Sequence, residues 1–132
     1  MHGFHGNIEQ LTLENTNFRK VLYTAKHSQL VLMTLEPGQD IGSEIHTEND
    51  QFLRFESGTG TAVIDDSSYA VVPGSVIIVP AGAQHNVTNT SQTEQLKLYT
   101  LYSPAHHKDG IVQQTKEEAE ASEEEFDGTT TE

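Results

Sequence analysis

Two short stretches carry side chains whose types and spacing could hold a metal ion. In Gly38 to Gly58, GQDIGSEIHTENDQFLRFESG, Glu44 and His46 stand two apart on a run that reads as a strand, so both leave the same face. Gln51 follows five residues after His46, beyond a polar turn. In Gly74 to Asn89, GSVIIVPAGAQHNVTN, Val76 to Pro80 reads as a short buried strand and Ala81-Gly82-Ala83 as a turn. His85 opens another extended run, with Val87 and Asn89 on its face. With the two hairpins side by side, Glu44, His46, Gln51 and His85 converge on one point. Two imidazoles, a carboxylate and an amide oxygen, without sulfur, suit Fe, Mn, Ni, Co or Zn and do not select among them. Two imidazoles buried without partners would be costly, and coordination would satisfy both.

The same residues resemble the two signature motifs of the cupin superfamily. The second motif runs Gly, five residues, Pro, one residue, Gly, two residues, His, three residues, Asn, and Gly74, Pro80, Gly82, His85 and Asn89 fill every position. The first is matched in frame by Gly38, Glu44, His46, Gln51 and Gly58. Two ligand types differ there: Glu44 takes the place of the first His, and Gln51 that of the usual Glu. The resemblance implies an all-β fold, the double-stranded β-helix or jelly-roll-like barrel, similar to small mannose-6-phosphate isomerase-like cupins. It also implies a divalent metal cofactor on Glu44, His46, Gln51 and His85. The ligand charge stays at minus one, with the carboxylate moved. Asp50 in place of Gln51 is an alternative, since the family tolerates either spacing; Gln51 alone keeps the six-residue interval to Gly58.

The elements that must position these residues are strands. Phe18 to Ala25 (FRKVLYTA) and Gln29 to Leu35 (QLVLMTL) are rich in Val, Leu and Tyr and read as barrel walls. In Gln51 to Glu56, Gln51, Leu53 and Phe55 share one face, placing Leu53 and Phe55 below the metal and Arg54 away from it. Gly60 to Ile64 and Tyr69 to Val72 are strands joined by a turn, Asp65-Asp66-Ser67-Ser68. Gln95 to Tyr102 alternates, with Gln95, Lys97 and Tyr99 opposite Leu96, Leu98, Thr100 and Tyr102. Pro104 ends that run, because it has no N–H for a ladder.

The chain therefore divides into an N-terminal segment (1–16), a barrel (17–112) and an acidic tail (113–132). Residues 1 to 6 (MHGFHG) read as a frayed end. The tail, QQTKEEAEASEEEFDGTTTE, reads as a helical turn or two followed by disorder, with its last ten residues mobile. At 132 residues one domain and one core are expected. Net charge is −13, of which eight acids and a single Lys lie beyond Thr115. With no basic patch to neutralise phosphates, nucleic acid and anionic membranes are not expected partners. The absence of Cys removes disulfides, thiolate ligands and a Cys nucleophile. No apolar leader or span precedes the barrel, so the cytoplasm is the expected compartment. Neither a phosphate-cradling glycine loop nor a Ser-His-Asp arrangement occurs.

Three functions remain open at this level. The first is isomerase or lyase chemistry on a small sugar-like or hydroxy-carbonyl compound through a metal-stabilised enediolate, which needs a base beside the metal. Glu48, Asp50, Tyr99 and His106 are the candidates by location. The second is a non-haem Fe(II) dioxygenase, for which two imidazoles and a carboxylate beside an apolar wall of Leu53, Phe55 and Val87 suffice. The third is a non-catalytic, small-ligand binding or regulatory barrel. Small cupins commonly pair, so a homodimer is expected, with Phe52 and Leu96 taken as apolar outward residues.

Overall fold

A computed structural model describes residues 1–132. Helix α1 (Ile8–Glu14) precedes strands β1 (Arg19–Thr24), β2 (Gln29–Leu35), β3 (Glu44–Ile45) and β4 (Asp50–Ser57). There follow β5 (Gly60–Ile64), β6 (Ser67–Val71), β7 (Val76–Val79), β8 (Gln84–Asn89), β9 (Leu96–Ser103), β10 (Val112–Gln113) and α2 (Lys116–Ala121). The strands form a six-stranded sheet in the order β10-β1-β2-β9-β4-β7 and a four-stranded sheet in the order β3-β8-β5-β6, every pairing antiparallel. This is the expected all-β double-stranded helix. No helix is long and apolar enough to cross a membrane.

Side-chain parity sets what each sheet buries. On β9, Leu96, Leu98, Thr100 and Tyr102 point inward while Lys97, Tyr99 and Leu101 are half-buried on the outside. On β4, Gln51, Leu53 and Phe55 are buried and Arg54 faces out. Val31, Met33 and Leu35 from β2 join Leu53, Phe55, Leu96 and Leu98 and, from the opposing sheet, Ala62 and Val87, in one continuous core. Leu96 is fully buried, so it cannot be the outward residue expected for pairing of two chains; its alternation with Leu98 and Tyr102 puts it inside. Gly58 ends β4 at φ +90°, where a Cβ would lie 2.4 Å from the Gln95 carbonyl oxygen, so only glycine lets β4 close against β9.

Three local expectations change. The β5–β6 turn is tighter than the composition implied: Ser67 and Ser68 already pair in β6, and Asp65 takes the left-handed φ of 48°. Asp65 Oδ1 accepts from the Gln84 N–H, which holds it there. Helix α1 is an addition, started by Asn7, whose side chain accepts from the Gln10 N–H.

The third change concerns the tail. Thr115 caps α2, and Ala119 enters the core. The chain then runs back over the 106–108 loop: the Lys108 N–H donates to the Glu124 carbonyl, and the Phe126 N–H to that of His106. Near the end, the Thr131 N–H donates to the Thr24 carbonyl, and the Glu132 carboxylate accepts from the Tyr23 hydroxyl and the Gly3 N–H. Composition predicted disorder because the segment has few apolar groups of its own. It is ordered by backbone donors and acceptors that β1 and the 106–108 loop leave unpaired.

Candidate metal centre

Strand register places the predicted residues around one small space, but of their imidazoles and carboxylates only Glu44 and His46 fall in a group whose ligand atoms all lie within 4.8 Å, and its third member is His106. Glu44 on β3 sits directly opposite His85 on β8, so both side chains project from the same face. His46 lies just beyond β3, where its carbonyl accepts from the Gly82 N–H. Gln51 enters from β4, opposite Tyr102 of β9. Glu44, His46, Gln51, His85 and Tyr102 surround one small internal space.

Within it, His46 Nε2 lies 2.9 Å from Glu44 Oε2, and the His46 and His85 rings are 5.0 Å apart. His85 Nδ1 is 3.1 Å from the Ala83 carbonyl oxygen. That contact requires a proton on Nδ1 and leaves Nε2 as the lone-pair nitrogen. Gln51 Nε2 donates to Thr100 Oγ1 at 3.0 Å, while Gln51 Oε1 is buried with no hydrogen-bond partner. An orphaned buried acceptor is costly, and this one belongs to a residue already singled out as a ligand.

His106 adds a fifth group. Its ring centroid is 4.1 Å from that of His46, and one donor atom each of Glu44, His46 and His106 lie within 4.8 Å of one another. The loop bearing it is fixed by two buried amides. Gln29 Oε1 accepts from the His106 and His107 N–H groups and its Nε2 donates to the His107 carbonyl; Asn49 Nδ2 donates to the carbonyls of Pro104 and Ala105.

The other candidates fall outside. Asp50 is exposed and accepts from the Ala81 N–H, so it does not replace Gln51 in the space. Glu48 is exposed in the bend after His46. Tyr99 lies on the outer face of β9 against Phe52, on the polar parity of that strand. The tyrosine inside is Tyr102, whose hydroxyl is 3.3 Å from His107 Nε2. Residue typing alone passed over Tyr102 and Arg19; for Arg19 the available signal was a cation sharing the inward face of β1 with Val21.

Burial governs the electrostatics. It pushes the Glu44 carboxyl up, yet the hydrogen bond from His46 and the positive fields of His46, Arg19 and His106 outweigh it and hold Glu44 below its usual range. Desolvation lowers His106 to about 4, with His46 adding to the effect, and holds His107 well below its usual value, with Arg19 adding. His85 also falls through burial, and burial raises the Tyr102 hydroxyl.

These imidazoles are neutral in the fold, so the unfolded chain, titrating near 6.5, binds more protons between that value and about 4. Stability is thus fully present above the unfolded value and falls as pH drops toward 4; Glu44 adds loss in the same direction only below its ordinary 4.5. Thermal melts of metal-free protein are expected to show a melting temperature declining steadily from neutral pH to the acid end of this window. A flat profile would mean that the imidazoles are not held neutral by burial.

The Cupin domain family matches residues 31–102. An uncharacterised protein of Acanthamoeba polyphaga mimivirus is 45% identical over 109 residues, 80% of this chain and 68% of that one. The uncharacterised YrkC of Bacillus subtilis (strain 168) is 46% identical over 123 residues, 89% of this chain and 66% of its own length. The chain therefore spans about two thirds of these curated relatives. A Bacillus halodurans protein of solved crystal structure is 42% identical, with a TM-score of 0.88 over 92% of this chain and 98% of that one.

Proposed function

The chain belongs to the cupin family, and from that premise we propose that it binds a divalent metal and acts on a small sugar-like or hydroxy-carbonyl compound by isomerase or lyase chemistry. The observation that carries the reading is Gln51 Oε1, buried without a partner in the space it shares with Glu44, His46 and His85. Glu44, His46, His85 and Gln51 would hold the metal, their donor set matching an imidazole- and oxygen-loving ion. When bound, such an ion supplies Lewis acidity toward a carbonyl and its neighbouring hydroxyl.

The remaining steps belong to side chains. His106 faces the same cavity of about 310 Å³ as Glu44 and His46, and its unprotonated ring is available to accept a proton there. The Tyr102 hydroxyl, raised by burial, stays protonated and can only donate or accept a hydrogen bond. Leu53 and Val87 give the inner space an apolar part to its lining.

Non-haem Fe(II) dioxygenase chemistry is the second reading, favoured by the grouping of one carboxylate with two imidazoles in Glu44, His46 and His106. Elemental analysis of protein purified anaerobically without an affinity tag separates these. About one Zn, Ni or Mn per chain, together with turnover in a panel of sugars and hydroxy-carbonyl compounds, supports the first. Stoichiometric Fe with substrate-dependent oxygen uptake supports the second. Absence of any metal overturns both and leaves a non-catalytic ligand-binding barrel.

Two copies are proposed to pair through the outer face of β4 and β7. There Phe52 lies opposite Ile78, which is 63% exposed, beside Tyr99 and exposed Val76. Ile78→Lys is expected to convert a dimer to monomer in analytical ultracentrifugation at micromolar concentration, and a wild-type monomer would sink the pairing.

A further inference from the structure

The cavity holds a second polar anchor that the metal reading does not use. Arg19 is 8% exposed, lies on the cavity wall with Glu44, His46 and His106, and has no carboxylate within ion-pair distance. Its one hydrogen bond, 3.0 Å from Nη1 to Gln113 Oε1, goes to a neutral amide, and its Nε is buried with no partner. Gln113 is its cross-strand neighbour on β10 and is itself tied to the Ser122 carbonyl, so the guanidinium is aimed rather than free to swing. Lys116, the other cation on the cavity wall, is already paired with Asp40 and Glu120.

A buried guanidinium with a spare N–H donor and no carboxylate at ion-pair distance, Glu44 lying farther off on the same wall, is an incomplete ion pair. Its planar fork matches a carboxylate. We infer that Arg19 binds the carboxylate of a small hydroxy or oxo acid whose neighbouring oxygen lies toward Glu44, His46 and His106, an assignment that rests on the hydroxy-carbonyl reading and narrows it to acids. Glu120, Glu123, Glu124 and Glu125 line the same cavity and oppose an approaching anion, so the site admits one only through direct contact with the guanidinium. Arg19 acts at contact inside.

Isothermal titration of glycolate and of its uncharged counterpart glycolamide tests this, with metal content measured on every sample. The metal-loaded wild type is expected to bind glycolate at least about tenfold more tightly than glycolamide. Arg19→Gln is expected to lose that preference at unchanged metal content. Gln113→Glu, which places a carboxylate beside Nη1, is expected to lose it as well and serves where Arg19→Gln does not fold. Equal binding of the two probes to the wild type, no binding of glycolate, or a preference that survives in a folded variant overturns the assignment. Wild type lacking metal but showing an Arg19-dependent preference for glycolate would remove the metal reading and leave the carboxylate site standing.

Discussion

Replacing His46 with alanine is expected to weaken metal binding at least about 100-fold, so that protein purified at limiting metal carries almost none. His46 and Glu44 belong to both donor sets, the one on strands with His85 and Gln51 and the one with His106, so Glu44→Ala should behave alike. His85 and His106 separate the sets. His85 stands opposite Glu44 in a ladder, its ring fixed by the Ala83 carbonyl, whereas His106 rides on a loop. Ligands on paired strands hold their geometry more closely than ligands on loops. His85→Ala is therefore expected to lose metal and His106→Ala to keep it. Elemental analysis with circular dichroism as the folding control reads both. The reverse pattern would move the site to Glu44, His46 and His106, and full metal in His46→Ala would remove it.

The strand residues of this candidate site were legible from one strand repeat and from the placing of four glycines. Glu44 and His46 share a face by the two-residue repeat, and the glycines at 38, 58, 74 and 82, all at positive φ, mark the hairpin corners that bring β3, β4 and β8 together. The interval to Gly58 favours Gln51 over Asp50, and β4 leaves Asp50 exposed, outside the space that Gln51 lines. What could not be read is whatever depends on a loop returning from far along the chain. His106 is a candidate base by location, but its place beside His46 depends on Gln29, 77 residues earlier, and on Asn49 holding the loop backbone, and no local pattern encodes those pairings. Tyr99 and Tyr102 were separable by parity alone, but which face of β9 was wet depended on the closure of the barrel. The tail was misread for a related reason. Its own residues bury little, and its order comes from edges elsewhere in the fold.

Gln29 is consequently the residue whose loss is expected to cost the most outside the core. It is fully buried, and its amide makes four contacts: Oε1 with the N–H groups of His106 and His107, and Nε2 with Thr24 Oγ1 and the His107 carbonyl. Gln29→Leu keeps much of the volume but takes the partner from two N–H groups, a carbonyl and the Thr24 hydroxyl. At about 1–3 kcal/mol for each buried polar group left unpaired, partly relieved by movement of the loop, the net loss should be about 3 kcal/mol. For a chain of this size that is a melting temperature lower by about 10 °C. The loop can escape the penalty only by moving into water, and that carries His106 out with it. His106 should then titrate near 6.5 rather than about 4, which proton NMR of the imidazole resonances would read. Thr24→Val, which removes one of the four contacts and none to the loop, should lower stability less and leave the His106 titration where it was. If Gln29→Leu melts within about 3 °C of wild type and His106 still titrates low, packing of the loop under the returning tail holds it in place, and the buried amide does not.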